Sequence, residues 1–513
     1  MPSPMKEHRE QTRELAASLR FGDIYDWIVD HGYYPESWVL PPCFRVVSRP
    51  CVRRQYYSVT SRGRKYNVQP QNCVDVHFPK SELTDRHFGV LHPHIHSDIA
   101  YNIARNWKTI LKALIPPDSQ VACYSFPLPV DTKNPGRVGH LRSARMIYEF
   151  LTMAEDDLVT VAYQYTHLVR ADIRNFYGSI YTHSIAWAIH GKRSVRRPSR
   201  RHDYRLVGNR LDKLFQYAND QRTNGIPIGP VVSDIASEIV AAAVDRAFSA
   251  AIRSSQIDCE IVRFKDDYRI LVRGEVVGKQ VIKLLQAALR EFGLELASDK
   301  TAVLSLPEGL FRPWVSMYHA VHPRRRRRRF EWKEFRELYL AVLRIDQIHP
   351  GTGVIDRFLA DIVSRRGRLK VRLDSSTLQR TISMLLMLGA RRTKAVPKII
   401  GIIESVFESP VGRSNTNHIV AWLDQYLQEL AKDEERNKYL ISWIVYFFGS
   451  HGLMSRISPK PKFKDPITKS SLSGRSNFFR DAKDFKIMEG LRASGKRCSL
   501  LKHLDVFDPP EAL

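Results

Sequence analysis

Glu260-Ile261-Val262-Arg263-Phe264-Lys265-Asp266-Asp267-Tyr268-Arg269-Ile270-Leu271-Val272 is two β-forming runs around a charged tripeptide. Such runs, broken by a short polar segment, predict a hairpin with the acidic pair at its tip. An Asp-Asp pair alone is a common turn. A third acid upstream changes its meaning: His167-Leu168-Val169-Arg170-Ala171-Asp172 reads as an apolar strand ending on a carboxylate. Adjacent strands sit about 4.8 Å apart, so neighbouring strands would bring Asp172, Asp266 and Asp267 together. Mg²⁺ prefers carboxylate, water and phosphate oxygens. Phosphoryl transfer from a nucleoside triphosphate uses two such ions, one activating the attacking hydroxyl and both neutralising the phosphates. The three acids are candidates for that centre.

Outward from the hairpin, the order of elements is informative. A helix-like stretch spans Thr182 to Ile189, followed by a basic insertion, Lys192 to Arg201, and a helix near Leu206 to Arg222. Gly225-Ile226-Pro227-Ile228-Gly229 is a sharp loop, and a small-residue helix runs from about Val231 to Ala251. Beyond the hairpin, Val281, Leu284, Leu285, Ala288, Leu289 and Phe292 share one helical face. Thr301 to Leu306 is a last strand. This order suits an antiparallel sheet with helices on one face. The expected fold class is α+β, with an α-helical C-terminal domain after the sheet-bearing unit.

Composition bounds the function. Lys and Arg number 80 against 54 Asp and Glu, a net charge of +26. Like charges repel, so this surplus points to a polyanionic partner, most simply nucleic acid. The start, Met1-Pro2-Ser3-Pro4, runs into charged residues, so no secretory leader is expected. The longest apolar run, Tyr439 to Phe448, is too short to span a bilayer. Cysteines 43, 51, 73, 123, 259 and 498 are scattered without a C-x-x-C pair, which argues against structural zinc or a disulfide framework and for a reducing cytoplasm. No phosphate-binding Gly-x-x-x-x-Gly-Lys loop and no nucleophilic triad is visible.

The surrounding residues carry a family resemblance. Asp172-Ile173-Arg174-Asn175-Phe176-Tyr177-Gly178-Ser179-Ile180 resembles the first palm motif of reverse transcriptases. Gly225-Ile226-Pro227-Ile228-Gly229-Pro230-Val231-Val232-Ser233 resembles the second, and Arg263 to Tyr268 the aromatic-x-Asp-Asp third. Gly293-Leu294-Glu295-Leu296 with Ser298-Asp299-Lys300-Thr301 resembles the fourth. Four motifs in order are a specific signal, covering residues 140 to 306. Residues Phe176 to Lys192, and the long helical region after the palm, resemble bacterial defence-associated reverse transcriptases, including the abortive-infection enzymes.

The resemblance implies the fingers and palm of a right-hand polymerase, with a helical segment over 1–42, fingers over 43–160, a palm over 161–310 and a basic α-helical domain over 311–513, and it implies site residues and partners. Asp172 and Asp266 would hold two Mg²⁺ ions, with Mn²⁺ as a substitute. Asp267 would support them and the Ile173 carbonyl would complete one coordination sphere. Tyr177, five residues after Asp172 and next to Phe176, would lie beneath the sugar and favour deoxynucleotides. Gly225, Pro227 and Gly229 would let backbone approach the templating pair. Lys300 would protonate the leaving pyrophosphate or hold a phosphate. Arg142 and Arg145, i and i+3 on a helix, are candidates to clamp the triphosphate. The run Arg324, Arg325, Arg326, Arg327, Arg328 and Arg329 is a candidate grip on a nucleic-acid backbone; a solvated connector is the plainer alternative, and Lys192 to Arg201 reads the same two ways. Ile228 departs from the Gln, and Phe264 from the Tyr, of many family members.

The implied activity is Mg²⁺-dependent DNA synthesis from deoxynucleoside triphosphates in anti-phage defence, in the bacterial cytoplasm. Untemplated synthesis and priming from a protein hydroxyl stay open. The implied partners are RNA or DNA, including a non-coding RNA, and further copies of the chain, with no membrane. Two alternatives are a retron-like enzyme copying a dedicated structured RNA, and a catalytically idle nucleic-acid-binding module. His92, His94 and His96, with Asp98, would share a face of an extended chain and suit zinc; Pro93 and the lack of further ligands favour a loop. Tyr56, Tyr57 and Tyr66 read as base-stacking or core aromatics.

Overall fold

The computed structural model describes residues 3–80, 84–130, 132–139, 144–322, 329–364 and 366–505, with the backbone alone for 144–149. Its strands are β1 (Phe44–Ser48), β2 (Val74–Pro79), β3 (Asp85–Val90), β4 (Ala122–Cys123), β5 (His167–Asp172), β6 (Cys259–Phe264), β7 (Asp267–Val272), β8 (Ala302–Ser305) and β9 (Lys486–Met488). Helices α1 (Pro4–Ala17) and α2 (Phe21–Asp30) precede β1; α3 (Pro93–Arg105) and α4 (Trp107–Leu114) follow β3. Helix α5 (Ala144–Ala162) leads into β5. Between β5 and β6 come α6 (Phe176–Ser179), α7 (His183–His190), α8 (Lys192–Val195), α9 (Val207–Tyr217) and α10 (Val231–Ser254). Helix α11 (Glu275–Glu291) joins β7 to β8. The chain is then mostly helical: α12 (Pro313–Val321), α13 (Trp332–Ile348), α14 (Val354–Asp361), α15 (Ser375–Arg391), α16 (Val396–Phe407), α17 (Pro410–Ser414), α18 (Thr416–Ala431) and α19 (Glu434–Ser450). The architecture is α+β with a helical C-terminal region, as the sequence implies.

Five strands form the central sheet in the order β4-β6-β7-β5-β8, antiparallel except for the short β4–β6 pair. Side chains alternate across a strand, so Asp172, Arg170 and Leu168 share one face with their cross-strand partners Asp267, Arg269 and Leu271. The other face carries Val169, Ala171, Tyr268 and Ile270, all buried. Helices α10 and α11 cover it, Gly278 of α11 lying against Val169 and Val303 without room for a Cβ.

The carboxylate face is not bare, which departs from helices on one face only. Its far end is apolar, and Leu168, Leu271 and Val262 pack there with Ala154 and Leu158 of α5 and Met5 of α1. Along this face the residues grade from leucine to arginine to aspartate, so the hydrophobic cover ends where the charges begin.

The C-terminal region returns to the start of the chain. Strand β9 pairs with β1, the Tyr34 hydroxyl donates to the Ile487 carbonyl at 2.6 Å and the Tyr439 hydroxyl to that of Trp38 at 2.7 Å. The histidine run is not a loop. Pro93 starts α3, the His94 N–H donates to His92 Nδ1 at its N-cap, and His92 and His94 meet Asp481 and Asp484 at 3.0 and 2.9 Å. A proline at N1 lacks an N–H that the first turn leaves unpaired anyway. Tyr57 and Tyr66 are buried in the core, and the Tyr56 hydroxyl donates to Asp484. Among the described residues no helix is long and apolar enough to cross a membrane.

Candidate active site

The strand register builds the site. Asp172, the last residue of β5, stands directly opposite Asp267, the first of β7. Asp266 precedes it in the two-residue turn, and its carbonyl accepts the Ile173 N–H at 3.0 Å. Two of the acids thus end paired strands, and the third sits in the turn one residue from the same rung.

The turn is held from behind. Lys265 has φ +52°, in the left-handed region, and both its peptide groups are occupied. Its N–H donates to Ser125 Oγ at 2.7 Å, and its carbonyl accepts from Arg263 Nη1 at 2.9 Å. Arg263 is fully buried. Its guanidinium also donates to Asp245 at 2.7 and 2.9 Å and to Glu238 at 3.1 Å, while the Tyr268 hydroxyl reaches Asp245 at 2.7 Å. Glu238 and Asp245 come from the sheet-facing side of α10. A buried charge persists only when paired and hydrogen-bonded, and this cluster meets both conditions. Sequence reading missed this cluster: Glu238 and Asp245 are seven residues apart on a helix that also carries Asp234, Arg246 and Arg253, and nothing in that pattern says which side meets the sheet.

In front the balance is different. Burial, together with the Asp172 carboxylate, raises the Asp266 pKa; Lys265 and Arg86 oppose it. Burial pushes Asp267 up to about 6 against Arg269 and Arg170, with Asp172 and Asp266 adding to the rise. Arg269 is already shared with Glu155 of α5 at 3.1 Å. Lys300 reaches the site because residues after α11 run beside β5: Ala297 N–H donates to the Asp172 carbonyl and Arg174 N–H to that of Glu295. The Lys300 ammonium then donates to Asp172 Oδ2 at 2.9 Å. Among the described residues, no group of three or more His, Cys, Asp or Glu stands as a ready-made metal cage. Mg²⁺ is commonly held by one or two carboxylates plus substrate phosphates. Strand-end acids beside an Asp-Asp turn, half-buried and with Asp266 and Asp267 raised chiefly by that burial, fit that kind of ion.

The motif residues surround this centre. Phe176 is buried in the core. Tyr177 is half-buried, and its hydroxyl donates to Asp234 on the first turn of α10. Gly225 lies against the backbone of Gly178, and Pro227 against Gly89. Gly229 has φ +121°, and a Cβ there would stand 3.0 Å from Phe88 and 3.1 Å from Pro35. The loop is thus walled by the β2–β3 hairpin, whose Gly89 N–H donates to the Ile228 carbonyl at 2.9 Å. Arg142 lies outside the described residues, as do Arg324 to Arg328. Arg145 is on α5, its side chain not described, and Arg329 is exposed. The basic residue that sequence reading missed is Arg86 on β3, whose charge acts on Asp266.

A sheet that sets a strand-end aspartate against an Asp-Asp turn, backed by helices, has the arrangement expected of a polymerase palm. Residues 130–334 match the family described as "Reverse transcriptase (RNA-dependent DNA polymerase)". The chain therefore carries a reverse-transcriptase domain, an enzyme domain of the RNA-directed DNA polymerase class. No curated protein matches the chain. Among solved structures, apo telomerase from Candida tropicalis aligns over 85% of this chain and 72% of its own, at 11% identity and a TM-score of 0.32. Telomerase from Candida albicans in complex with the TWJ fragment of telomeric RNA aligns over 76% and 66%, at 10% identity and 0.29. The Candida tropicalis telomerase with the same kind of fragment aligns over 73% and 64%, at 10% and 0.31. The chain spans about two thirds of the length of these telomerases, a likeness too distant to decide substrate or partner.

Proposed function

We propose that the chain synthesises DNA from deoxynucleoside triphosphates at Asp172, Asp266 and Asp267, and that it serves anti-phage defence in a bacterial cytoplasm. The observation that carries the catalytic part is the Asp172–Asp267 rung with Asp266 bonded across to Ile173. Asp172, Asp266 and the Ile173 carbonyl would hold divalent cations, Mg²⁺ with Mn²⁺ as a substitute, with Asp267 in support. Bound ions would neutralise the phosphates and lower the pKa of the attacking hydroxyl. In the reaction, a 3′-oxygen bonds to the α-phosphorus as the bond to pyrophosphate breaks. Lys300, already at the cluster, would give that leaving group a proton or hold its charge. Arg86 supports the same reading from the fingers side, where an arginine fork suits a triphosphate. The Tyr177 ring, fixed by Asp234, would stand beneath the sugar.

The defence role, and assembly into a homo-oligomer, rest on the resemblance of residues 176–192 and of the helical C-terminal region. The test of the chemistry is incubation of nucleic-acid-free protein with each labelled deoxynucleotide, with and without RNA, beside Asp266→Ala. Divalent-dependent product from the wild type and none from the variant is expected. Product without RNA would mark untemplated synthesis. Label that stays on the denatured protein would mark a protein primer. Product only with the chain's own copurified RNA would mark a dedicated template. No product under any condition would leave an idle nucleic-acid-binding module. Phage plating that is equal with wild type and Asp266→Ala would sink the defence role.

A further inference from the structure

Two basic stretches far apart in sequence meet on one surface. Residues 192–205, Lys-Arg-Ser-Val-Arg-Arg-Pro-Ser-Arg-Arg-His-Asp-Tyr-Arg, hold seven Lys or Arg and one acid. That acid, Asp203, is taken by Arg205 at 2.8 and 3.0 Å. Residues 61–65, Ser-Arg-Gly-Arg-Lys, form a tight loop with no acid. The Tyr204 N–H donates to the Gly63 carbonyl at 2.8 Å, and Arg64 Nη1 reaches the Ser199 carbonyl at 3.3 Å. Gly63 packs directly on the Arg205 side chain. Arg62, Arg193, Arg196, Arg197 and Arg201 are all exposed. Among the described residues, no carboxylate pairs with any of these five. Folding has thus gathered like charges, at an electrostatic cost, and left them unneutralised.

The patch lies away from the catalytic carboxylates. Helix α7 packs between α9 and α10, and α10 and α11 cover the sheet face opposite Asp172 and Asp267. Lys192, at the start of α8, donates to the Glu291 carbonyl at the end of α11 at 2.6 Å. The surface therefore belongs to the helix layer behind the palm, not to the face that would hold the growing hybrid. We infer that residues 61–65 and 192–205 form one docking surface for the phosphate backbone of RNA, outside the catalytic cleft. RNA is the occupant because an RNA-directed polymerase must bring an RNA to its site, and unpaired arginines complement phosphate. This inference rests on the reading that the chain works on RNA. The bound stretch would be a part of that RNA that is not being copied, so the surface would tether the template to the enzyme.

The test is binding of a labelled RNA hairpin across a salt series to full-length wild type, to Asp266→Ala, to Arg196→Gln/Arg197→Gln/Arg201→Gln, and to Arg62→Gln/Arg64→Gln. Each arginine variant is expected to bind at least about tenfold more weakly near physiological salt. Its log–log salt dependence should flatten by about one for each phosphate it no longer neutralises. All variants should melt like the wild type, and Asp266→Ala should bind RNA normally. Extension of a short primer–template confined to the cleft should be unchanged in the two arginine variants and abolished in Asp266→Ala. Undiminished RNA binding in either arginine variant overturns the inference, as does a wild type that binds no RNA. Equal dependence of a DNA hairpin on these arginines overturns the choice of RNA. Loss of DNA synthesis in every protein, with the binding pattern kept, would sink the catalytic reading and leave this one standing.

Discussion

The β6–β7 hairpin carries charged groups on both faces, and the two faces are settled in opposite ways. Behind it, Arg263 spends its donors on Glu238, Asp245 and the Lys265 carbonyl, and all three charged side chains are buried. In front, Asp172, Asp266 and Asp267 crowd together with Lys300 as the one ammonium bonded to them among the described residues. The rear cluster is a finished structure, and its charges hold a turn. The front cluster is short of positive charge, so it gains from anything cationic that arrives. A protein can tolerate that deficit in only a few places, and such places are where chemistry is found.

The largest effects should come from breaking the front cluster. Asp266→Ala and Asp172→Ala are each expected to lower nucleotide incorporation by more than about 10²-fold, since losing even an outer-shell partner of a metal site costs up to that much. Stability should move the other way. Each variant removes a carboxylate from a repulsive group, so thermal unfolding of metal-free protein should be unchanged or higher. A lower melting temperature in both variants would mean that the front cluster is structural, and the contrast between the faces would fail.

Breaking the rear cluster should do the reverse. Arg263→Met leaves Glu238 and Asp245 buried without their cation, which costs about 3–5 kcal/mol. Adding Glu238→Gln and Asp245→Asn should return most of that stability, because the stranded charges are then gone. Activity should stay low even in the restabilised triple variant, since the Lys265 carbonyl still lacks its donor. Denaturant unfolding together with incorporation assays separates the two terms. Full recovery of activity in the triple variant would show that Arg263 does not position the turn.

The front cluster was legible from sequence and the rear one was not, for a physical reason. A hairpin and a strand announce themselves through runs of β-formers, and an acid at each end needs only their pairing to be brought together. The expected strands and helices from His167 to Leu306 accordingly lie within a few residues of those observed. The Arg263 cluster depends on which side of α10 meets the sheet, and alternation along one strand does not disclose that. The joining of 61–65 to 192–205, and the capping of α3 by His92, are likewise long-range or geometric. An alternating His-x-His-x-His pattern reads as extended until proline's role at a helix start is weighed.

A smaller effect should follow from pH. Asp267 is held up to about 6 against an ordinary value of 3.8, so between those values the folded chain keeps a proton that the unfolded chain has released. Stability of metal-free protein should therefore fall as pH rises through that window, the loss being complete above about pH 6. The expected drop in melting temperature is about 2–5 °C. Asp98 and Glu404, buried and each raised to about 7, add a similar slope. The Asp267 share is the part that Asp267→Asn removes and that millimolar Mg²⁺ restores at a pH above that window. A pH profile identical in chelator, in Mg²⁺ and in Asp267→Asn would show no deficit to be filled.

The smallest expected change in stability sharpens the comparison most. Lys300 is the bridge between the deficit and its compensation, yet its side chain is 58% exposed where it bonds Asp172. An ion pair that open contributes less than about 1 kcal/mol, so Lys300→Gln should melt within a degree or two of wild type. Its kinetic effect distinguishes two roles. If the ammonium holds a phosphate, Lys300→Arg should keep most of the rate, because the charge remains. If it delivers a proton to the leaving pyrophosphate, Lys300→Arg should be as slow as Lys300→Gln, about 10²-fold down, because arginine stays protonated at working pH. Single-turnover incorporation across pH, with both variants beside wild type, separates these outcomes. Wild-type rates in Lys300→Gln would reduce the residue to a counter-ion, leaving the aspartates to be neutralised by what binds them.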